Sequence, residues 1–308
     1  MILVTGGCGF VGANLVPMLE ERGYEVRILD NLSKGNPGFI KSDKVDIHIG
    51  DIRNSDEVKS ALKDIDGVIH LAAYGSVVES VEKPEENFDI NVRGTFNLLN
   101  ECKNAGVKKF IFSSTGGALI GNATPPVNED SLPRPISPYG SSKLCCEAYC
   151  SSFAESYDMN ITALRFANVI GPISWHKKGA VTAFIKSTIN NVPIEIYGDG
   201  SATRDFLYVD DLCGGVILAY EKELKGFNPI HLASGAEVSI KKLAEMINTL
   251  SKQTSHKIIY HDKRVGEVER NFANYEYARK VLGFEPQYTL KEGLQKTINW
   301  FDSVKDAF

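Results

Sequence analysis

The chain opens Met1-Ile-Leu-Val-Thr5-Gly6-Gly7-Cys8-Gly9-Phe10-Val11-Gly12. A short apolar run of strand character enters a glycine turn, and the residues after the turn show helical apolar spacing over about 11–22. Strand, glycine turn and helix in that order form the setting of a dinucleotide-binding fingerprint. Gly6 permits the tight turn, Gly9 lets backbone approach a pyrophosphate, and Gly12 lets the helix pack on the strand. The N–H groups at the helix start, from Phe10 and Val11 onward, would face the phosphates. A glycine-rich turn without a ligand is the competing reading.

Outward from that turn, the N-terminal half alternates β-branched or apolar runs with amphipathic stretches. Strands are predicted at 2–5, 24–30, 45–49, 67–72, 108–113 and 160–166. Helices are predicted at about 11–22, 55–63, 84–105 and 139–157. This pattern implies an α/β fold, a Rossmann-type doubly wound parallel sheet. After Gly171-Pro172 the texture changes to shorter elements, at 193–197, 205–209 and 228–232, with helices near 179–190, 239–251 and 289–302. We expect a dinucleotide-binding domain over 1–167, with 205–235 partly returning to it, and a smaller C-terminal α/β substrate-binding lobe over 168–308.

Composition narrows the function. A 308-residue chain with 43% hydrophobic residues can bury a large core. The formal net charge of -5 provides no broad basic field, so nucleic acid is not expected as a partner and any anion must be held by local donors. Six cysteines without Cys-x-x-Cys spacing read as free thiols in a reducing compartment, with no metal site. A strand beginning at residue 2 leaves no room for a signal peptide, and no apolar run is long enough to span a membrane. A cytoplasmic protein without membrane attachment is expected, and the Asn122 and Asn160 sequons read as chance matches.

The second strand ends in Asp30, where the ribose 2′-hydroxyl of a dinucleotide would lie. Its carboxylate should accept that hydroxyl and repel a 2′-phosphate, which favours NAD over NADP, although Lys34 weakens the exclusion. Capping of the following loop is the alternative role for Asp30.

Tyr139-Gly-Ser-Ser-Lys143 carries the chemistry. Residues four apart share one helix face, so phenol and ammonium can meet at one bound cofactor. A free phenol, with a pKa of about 10, is a poor base at neutral pH, and a nearby ammonium and a cationic nicotinamide would stabilise its phenolate. The fifth strand ends Ser113-Ser114-Thr115, with hydroxyls at the sheet's carboxyl edge. Thr115 is the preferred third catalytic hydroxyl, Ser114 its nearest competitor, and turn-forming residues the alternative to both.

With Asp30-Asn31-Leu32, Asp51-Ile52, His70-Leu-Ala-Ala73, Glu79-Ser80-Val81 with Pro84, Asn91-Val-Arg-Gly-Thr95, Arg165-Phe-Ala-Asn168 and Arg204-Asp205-Phe206-Leu-Tyr208 in order, the chain resembles the NAD-dependent epimerase/dehydratase family. Within that family it is most similar to the UDP-glucose 4-epimerase type. The resemblance implies that Asn31, Ser33 and Lys34 border the adenosine ribose, and that Asp51 and Ile52 border the adenine. An ordinary turn is the other reading of Asp51. It also implies that Leu71, Ala72, Ala73, Asn91, Ser113 and Phe166 line the cofactor together with Tyr139 and Lys143. On the substrate side it implies Asn168, Arg204 and Arg264 at a nucleotide diphosphate, with Ala180, Val181 and Glu267 nearby. Ile196 and Tyr197 would stand beside the uracil, and Asn271 at the sugar. Thr115 would touch the reacting oxygen.

The resemblance implies a UDP-sugar 4-epimerase using NAD, a UDP-sugar substrate and a homodimer formed through the 84–105 and 139–157 helices. Related 4,6-dehydratases carry Thr-Asp-Glu after the fifth strand, whereas this chain has Thr115-Gly116-Gly117. Glucuronate-epimerising relatives place an arginine after the Gly-Pro turn, whereas this chain has Ile173-Ser-Trp-His176, with Lys177 or Lys178 as possible substitutes. Asn271 stands where some epimerases have a bulky tyrosine, which leaves space for a 2-N-acetyl group. Alternatives are a nucleotide-sugar reductase or epimerase-reductase, a UDP-uronate 4-epimerase, and an NAD-binding redox sensor. His70 reads as a structural core histidine, Cys145, Cys146 and Cys150 as packing residues, and His176 and Lys177 as solvated.

Overall fold

The computed structural model describes residues 1–251, 256–263 and 268–307. Six strands of the main sheet arise in the first half: β1 (Ile2–Thr5), β2 (Val26–Asp30), β3 (Asp46–Ile49), β4 (Gly67–His70), β5 (Lys109–Thr115) and β6 (Asn160–Phe166). A seventh, Phe227–Leu232, pairs in parallel with β6. The spatial order is Phe227–Leu232, β6, β5, β4, β1, β2, β3, with every neighbouring pair parallel. The chain winds outward from β1 to β3 and then restarts at β4 on the other side of β1. That reversal opens a crevice at the carboxyl ends of β1 and β4, where α/β sheets bind ligands.

Both faces of the sheet are buried, which explains the near-continuous apolar strands. Alternate residues serve opposite layers: Phe110 and Phe112 of β5 pack with Leu98, Leu99, Cys146 and Phe153, while Ile111 packs with Leu15, Leu19 and Val216. The cysteines are free thiols, and Cys102, Cys146 and Cys150 are core residues. His70 is fully buried, between Thr5 Oγ1 at 2.6 Å and Thr95 Oγ1 at 2.9 Å. Burial pushes its imidazole down to about 3, so it is a neutral structural bridge between β1, β4 and the next helix layer.

Among the departures from the expected pattern, two shape the layers around the sheet. The stretch expected as one helix over 84–105 is divided into Pro84–Phe88, a π-helical turn Asp89–Arg93 and Gly94–Ala105. At the turn, the buried Asn91 holds the Tyr74 N–H at 2.7 Å and its carbonyl meets the Cys146 thiol at 3.2 Å. The widened turn lets one residue serve two neighbouring segments. Helix Val209–Glu221 was not anticipated, because Gly214 and Gly215 interrupt its middle and apolar residues surround it on all sides. It is buried on most faces, and a Cβ at Gly215 would stand 2.8 Å from Leu232 Cδ1. No helix among the described residues is long and apolar enough to cross a membrane.

The smaller elements lie beyond the carboxyl edge. Asn168–Ile170 pairs in parallel with Phe206–Tyr208, and Ile194–Tyr197 pairs with Ile258–His261. Helices Ala180–Ile189, Ile240–Leu250 and Leu290–Val304 pack around them.

Candidate active site

The glycine turn takes the shape that its sequence requires. Gly6 has φ +68°, and a Cβ there would lie 2.7 Å from the Ala72 nitrogen, so β1 and β4 approach each other through bare backbone. A Cβ at Gly12 would be 2.5 Å from the Gly7 α-carbon, which makes the helix and turn inseparable at this point. At Gly9 an added Cβ would meet only the Gly6 carbonyl, at 3.2 Å, so its outer side is open to a ligand. Helix α1 (Phe10–Glu21) starts there with no side-chain cap, and its first N–H groups and dipole face the crevice. This cradle fits the pyrophosphate of a dinucleotide.

Asp30 ends β2 at the edge of the same crevice, 7% exposed. Its carboxylate accepts the Cys8 N–H at 3.0 Å and the Leu32 N–H at 2.8 Å. One donor on each oxygen leaves lone pairs for a ribose diol. Capping and ribose binding, posed as alternatives, are therefore compatible. Asp51 is already engaged by Arg53 at 2.7 Å and by Asn31 at 2.9 Å, and these donors, Arg53 first, hold its carboxyl well below the usual range.

The structure corrects several side-chain assignments. Ile52 is 5% exposed and packs on Gly94, so only its main chain can border an adenine. Asn91, 1% exposed, commits its amide to Tyr74 and to Ser142 Oγ at 3.0 Å and so braces the wall of the crevice. Ile196 at 1% and Val181 at 8% turn into the core. Arg264 and Glu267 lie outside the described residues. Lys177 is exposed, and its ammonium also donates to the Val169 carbonyl at 3.0 Å and stands 4.8 Å from the centre of the Phe10 ring. Leu71, Ala72, Ala73 and Phe166 are partly exposed along the crevice, and Ser33 is exposed beside it, its N–H on Asn31 Oδ1 at 3.0 Å.

At the centre, helix Pro138–Tyr157 presents Tyr139 and Lys143 to the end of β5. The Tyr139 hydroxyl is hydrogen-bonded to Thr115. Lys143 Nζ donates to the Ser113 carbonyl at 2.7 Å, just below that pair in the chain, and lies 4.7 Å from the centre of the Phe112 ring. Burial pushes the Tyr139 phenol up to about 12, opposed by the Thr115 hydrogen bond. Burial also brings the Lys143 ammonium down to about 8, so it keeps its charge at neutral pH.

Ser114 is not available for the same task. Its hydroxyl donates to Glu147 Oε1 at 2.6 Å, and Glu147 forms a two-point ion pair with Arg165 at 2.8 and 3.1 Å, both side chains 5% exposed. Glu147 was missed in the sequence. Its signal was positional, since it stands four residues beyond Lys143 and eight beyond Tyr139 on the same helix face. It fastens the Tyr–Lys helix to β5 and β6.

Gly116 and Gly117 follow Thr115. A Cβ on Gly116 would stand 3.0 Å from His231 Nδ1, and one on Gly117 would stand 2.9 Å from Asn271 Oδ1. Asn271 is 5% exposed, and its amide nitrogen has no hydrogen-bond partner among the described residues. On the substrate side, Asn168 is exposed, with its amide on the Asp205 carbonyl at 3.2 Å, and Arg204 donates to the Thr203 carbonyl at 2.8 Å. The buried Asp205 carboxylate takes the Ser234 and Gly235 N–H groups, which fixes both neighbours. Tyr197 stacks on His261, ring centres 5.2 Å apart, and Ala180 begins its helix without a side-chain cap.

A doubly wound sheet whose glycine turn, strand-end aspartate and helical Tyr–Lys pair share one edge defines an extended short-chain dehydrogenase/reductase. Residues 2–233 match the NAD dependent epimerase/dehydratase family, and the chain belongs to that family. It is 37% identical to a putative UDP-glucose 4-epimerase of Methanocaldococcus jannaschii, over 97% of this chain and 98% of the relative. The structure superposes on Thermotoga maritima UDP-glucose 4-epimerase, solved with UDP-glucose, with a TM-score of 0.94, 34% identity and 99% of both chains covered. It is also similar to the UDP-N-acetylglucosamine 4-epimerase of Methanobrevibacter ruminantium, at TM-score 0.91, 34% identity and 98% of each chain. The protein is an NAD-dependent enzyme of the nucleotide-sugar epimerase/dehydratase kind.

Proposed function

We propose that the chain interconverts UDP-sugars at C4 through a 4-keto sugar, with NAD retained from one half-reaction to the next. The hydrogen bond between Thr115 and Tyr139, with the Lys143 ammonium on the Ser113 carbonyl of the same strand end, carries this reading. NAD, held by the Gly6–Gly12 turn and Asp30, supplies the acceptor and donor of hydride. Thr115 holds the 4-hydroxyl and passes its proton to Tyr139. Lys143 stabilises the phenolate form of Tyr139 that accepts this proton, and the neutral phenol returns the proton when the other face of the ketone is reduced. Asn168, Arg204 and Arg264 would grip the diphosphate while the sugar turns. Gly116 and Gly117 offer no acid or base for eliminating water, which supports epimerisation over dehydration.

The small Asn271 side chain, whose amide donor beside Gly117 has no partner among the described residues, supports acceptance of a 2-N-acetyl group. Lys177 and Lys178 are engaged by Val169 and Glu79, which leaves a C6 carboxylate without a ready partner. Incubation with UDP-glucose, UDP-galactose, UDP-GlcNAc, UDP-GalNAc and UDP-glucuronate, without added reductant, tests both points. We expect C4 epimers from the first four and the lowest kcat/KM for the uronate. Absence of any epimer, or turnover only with added NADH, would reject the epimerase reading, and no turnover of the acetylated pair would reject the wider pocket.

A homodimer is proposed on an apolar surface. Phe96 and Tyr149, 41% and 40% exposed, pack edge to face across the two helices expected at the interface, with Tyr157 at 43% alongside. Exposed aromatic patches of this kind mark association surfaces. Sedimentation at micromolar concentration should give twice the chain mass, and Phe96→Glu should give the monomer. A wild-type monomer at those concentrations would refute the assignment.

A further inference from the structure

Three segments that leave the fold at different places meet on one carboxylate. Glu79, on the short helix Val77–Glu82 after β4, takes the Lys34 ammonium at 2.9 Å on one oxygen and the Lys178 ammonium at 2.8 Å on the other. Lys34 belongs to the loop after β2, and Lys178 to the loop after strand Asn168–Ile170. In the sheet, β1 lies between β2 and β4. A bond from the β2 loop to the β4 side must therefore cross over the carboxyl end of β1, where the Gly6–Gly12 turn sits. A hollow of about 300 Å³ lies between the Leu32–Gly35 loop, Glu79, His176 and Lys178. Gly35 rests on the Asp30 carboxylate, 3.0 Å from where its Cβ would stand, so the hollow adjoins the ribose end of the crevice.

The three groups are not equally free to move. Ser80, next to Glu79, accepts the Tyr139 N–H at 3.1 Å and donates to the Val77 carbonyl at 2.6 Å. Glu79 thus projects from a base fastened to the Tyr–Lys helix, and its side chain is 14% exposed. The lysine side chains are 52% and 65% exposed on flexible stems. Two ammonium groups on one carboxylate leave a net positive charge beside the seat for a doubly anionic pyrophosphate.

We propose that Glu79, with Lys34 and Lys178, forms a strap across the dinucleotide crevice that slows the departure of NAD. It ties the β2 loop and the loop after Ile170 to the β4 side, and NAD cannot withdraw until an ion pair opens. The inference rests on the NAD-retaining reading above, in which a redox-neutral cycle fails if reduced cofactor escapes between half-reactions. Exposed ion pairs are individually weak, so the strap slows release by a modest factor and does not seal the crevice.

The test measures release directly, with no sugar present. Enzyme carrying NAD is transferred to NAD-free buffer with ethanol and alcohol dehydrogenase, which report each released NAD as NADH fluorescence. Glu79→Gln and Lys178→Met should each release NAD at least about threefold faster at low salt. The difference from wild type should shrink in 1 M NaCl, where charges are screened within about 3 Å. Lys178 stands on an exposed loop, so its substitution keeps the test valid if Glu79→Gln folds poorly. A change below threefold in Lys178→Met, or in well-folded Glu79→Gln, overturns the strap, as does a difference that persists in 1 M NaCl. Because no sugar is used, failure of the epimerase reading in the sugar panel would leave this measurement standing, and the reverse also holds.

Discussion

Tyr139→Phe should keep its fold and its NAD while kcat for UDP-sugar epimerisation falls by about 10²–10⁴-fold, the usual range for losing a general acid–base. Phenylalanine preserves the ring and removes only the oxygen bonded to Thr115. The loss corresponds to about 2.7–5.4 kcal/mol of transition-state stabilisation. Burial, only partly offset by the Thr115 hydrogen bond, holds the phenol up at about 12, a value that works against a base at neutral pH. The Lys143 ammonium, with a pKa brought down to about 8 by burial, is still charged at pH 7, and in the proposed relay it is the group that would stabilise the phenolate. Steady-state kinetics with UDP-galactose, together with thermal melting with and without NAD, would check the result. Retention of more than a tenth of wild-type kcat would remove Tyr139 from the proposed proton relay.

Arg165→Met should cost about 3–5 kcal/mol of stability, because it leaves the Glu147 carboxylate buried without its counter-charge. Both partners are 5% exposed, and the Ser114 hydroxyl is the other donor to the carboxylate. The double variant Arg165→Met/Glu147→Leu should lose less than Arg165→Met alone, since an apolar pair of similar volume has no charge to strand. Urea denaturation of the four proteins in the cycle would settle the sign. If the double variant were the least stable of the four, the stranded-charge explanation would be wrong.

The parts of the fold legible in the sequence are those that follow from local spacing. The β1–turn–α1 unit is legible because glycine geometry and apolar periodicity act within a few residues, and Asp30 is legible because it ends the next strand. Tyr139 and Lys143 are legible because a helix dictates which residues share a face. The missed features depend on contacts between distant segments. Helix Val209–Glu221 has no polar face for periodicity to reveal, since it is sandwiched against α1 and the sheet. Asn91 carries a motif's position, but its side chain is claimed by Tyr74 and Ser142 from other elements. Ile52 and Ile196 stand in the right segments, yet strand and turn geometry point their side chains inward. Glu147 and Arg165 are 18 residues apart, and only the packed helix and sheet show them to be one unit.

The two glycines after Thr115 have a bearing on how chemistry diverges on this scaffold. An acidic side chain grafted at 116 would press on the buried His231 imidazole, 3.0 Å from where its Cβ would stand, and one at 117 would strike the buried Asn271 amide. Two substitutions alone would therefore yield a crowded pocket, not a new lyase. Acquiring a water-eliminating activity would require the side chains at 231 and 271 to give way as well, so sterics as well as chemistry bear on how mutations could accumulate.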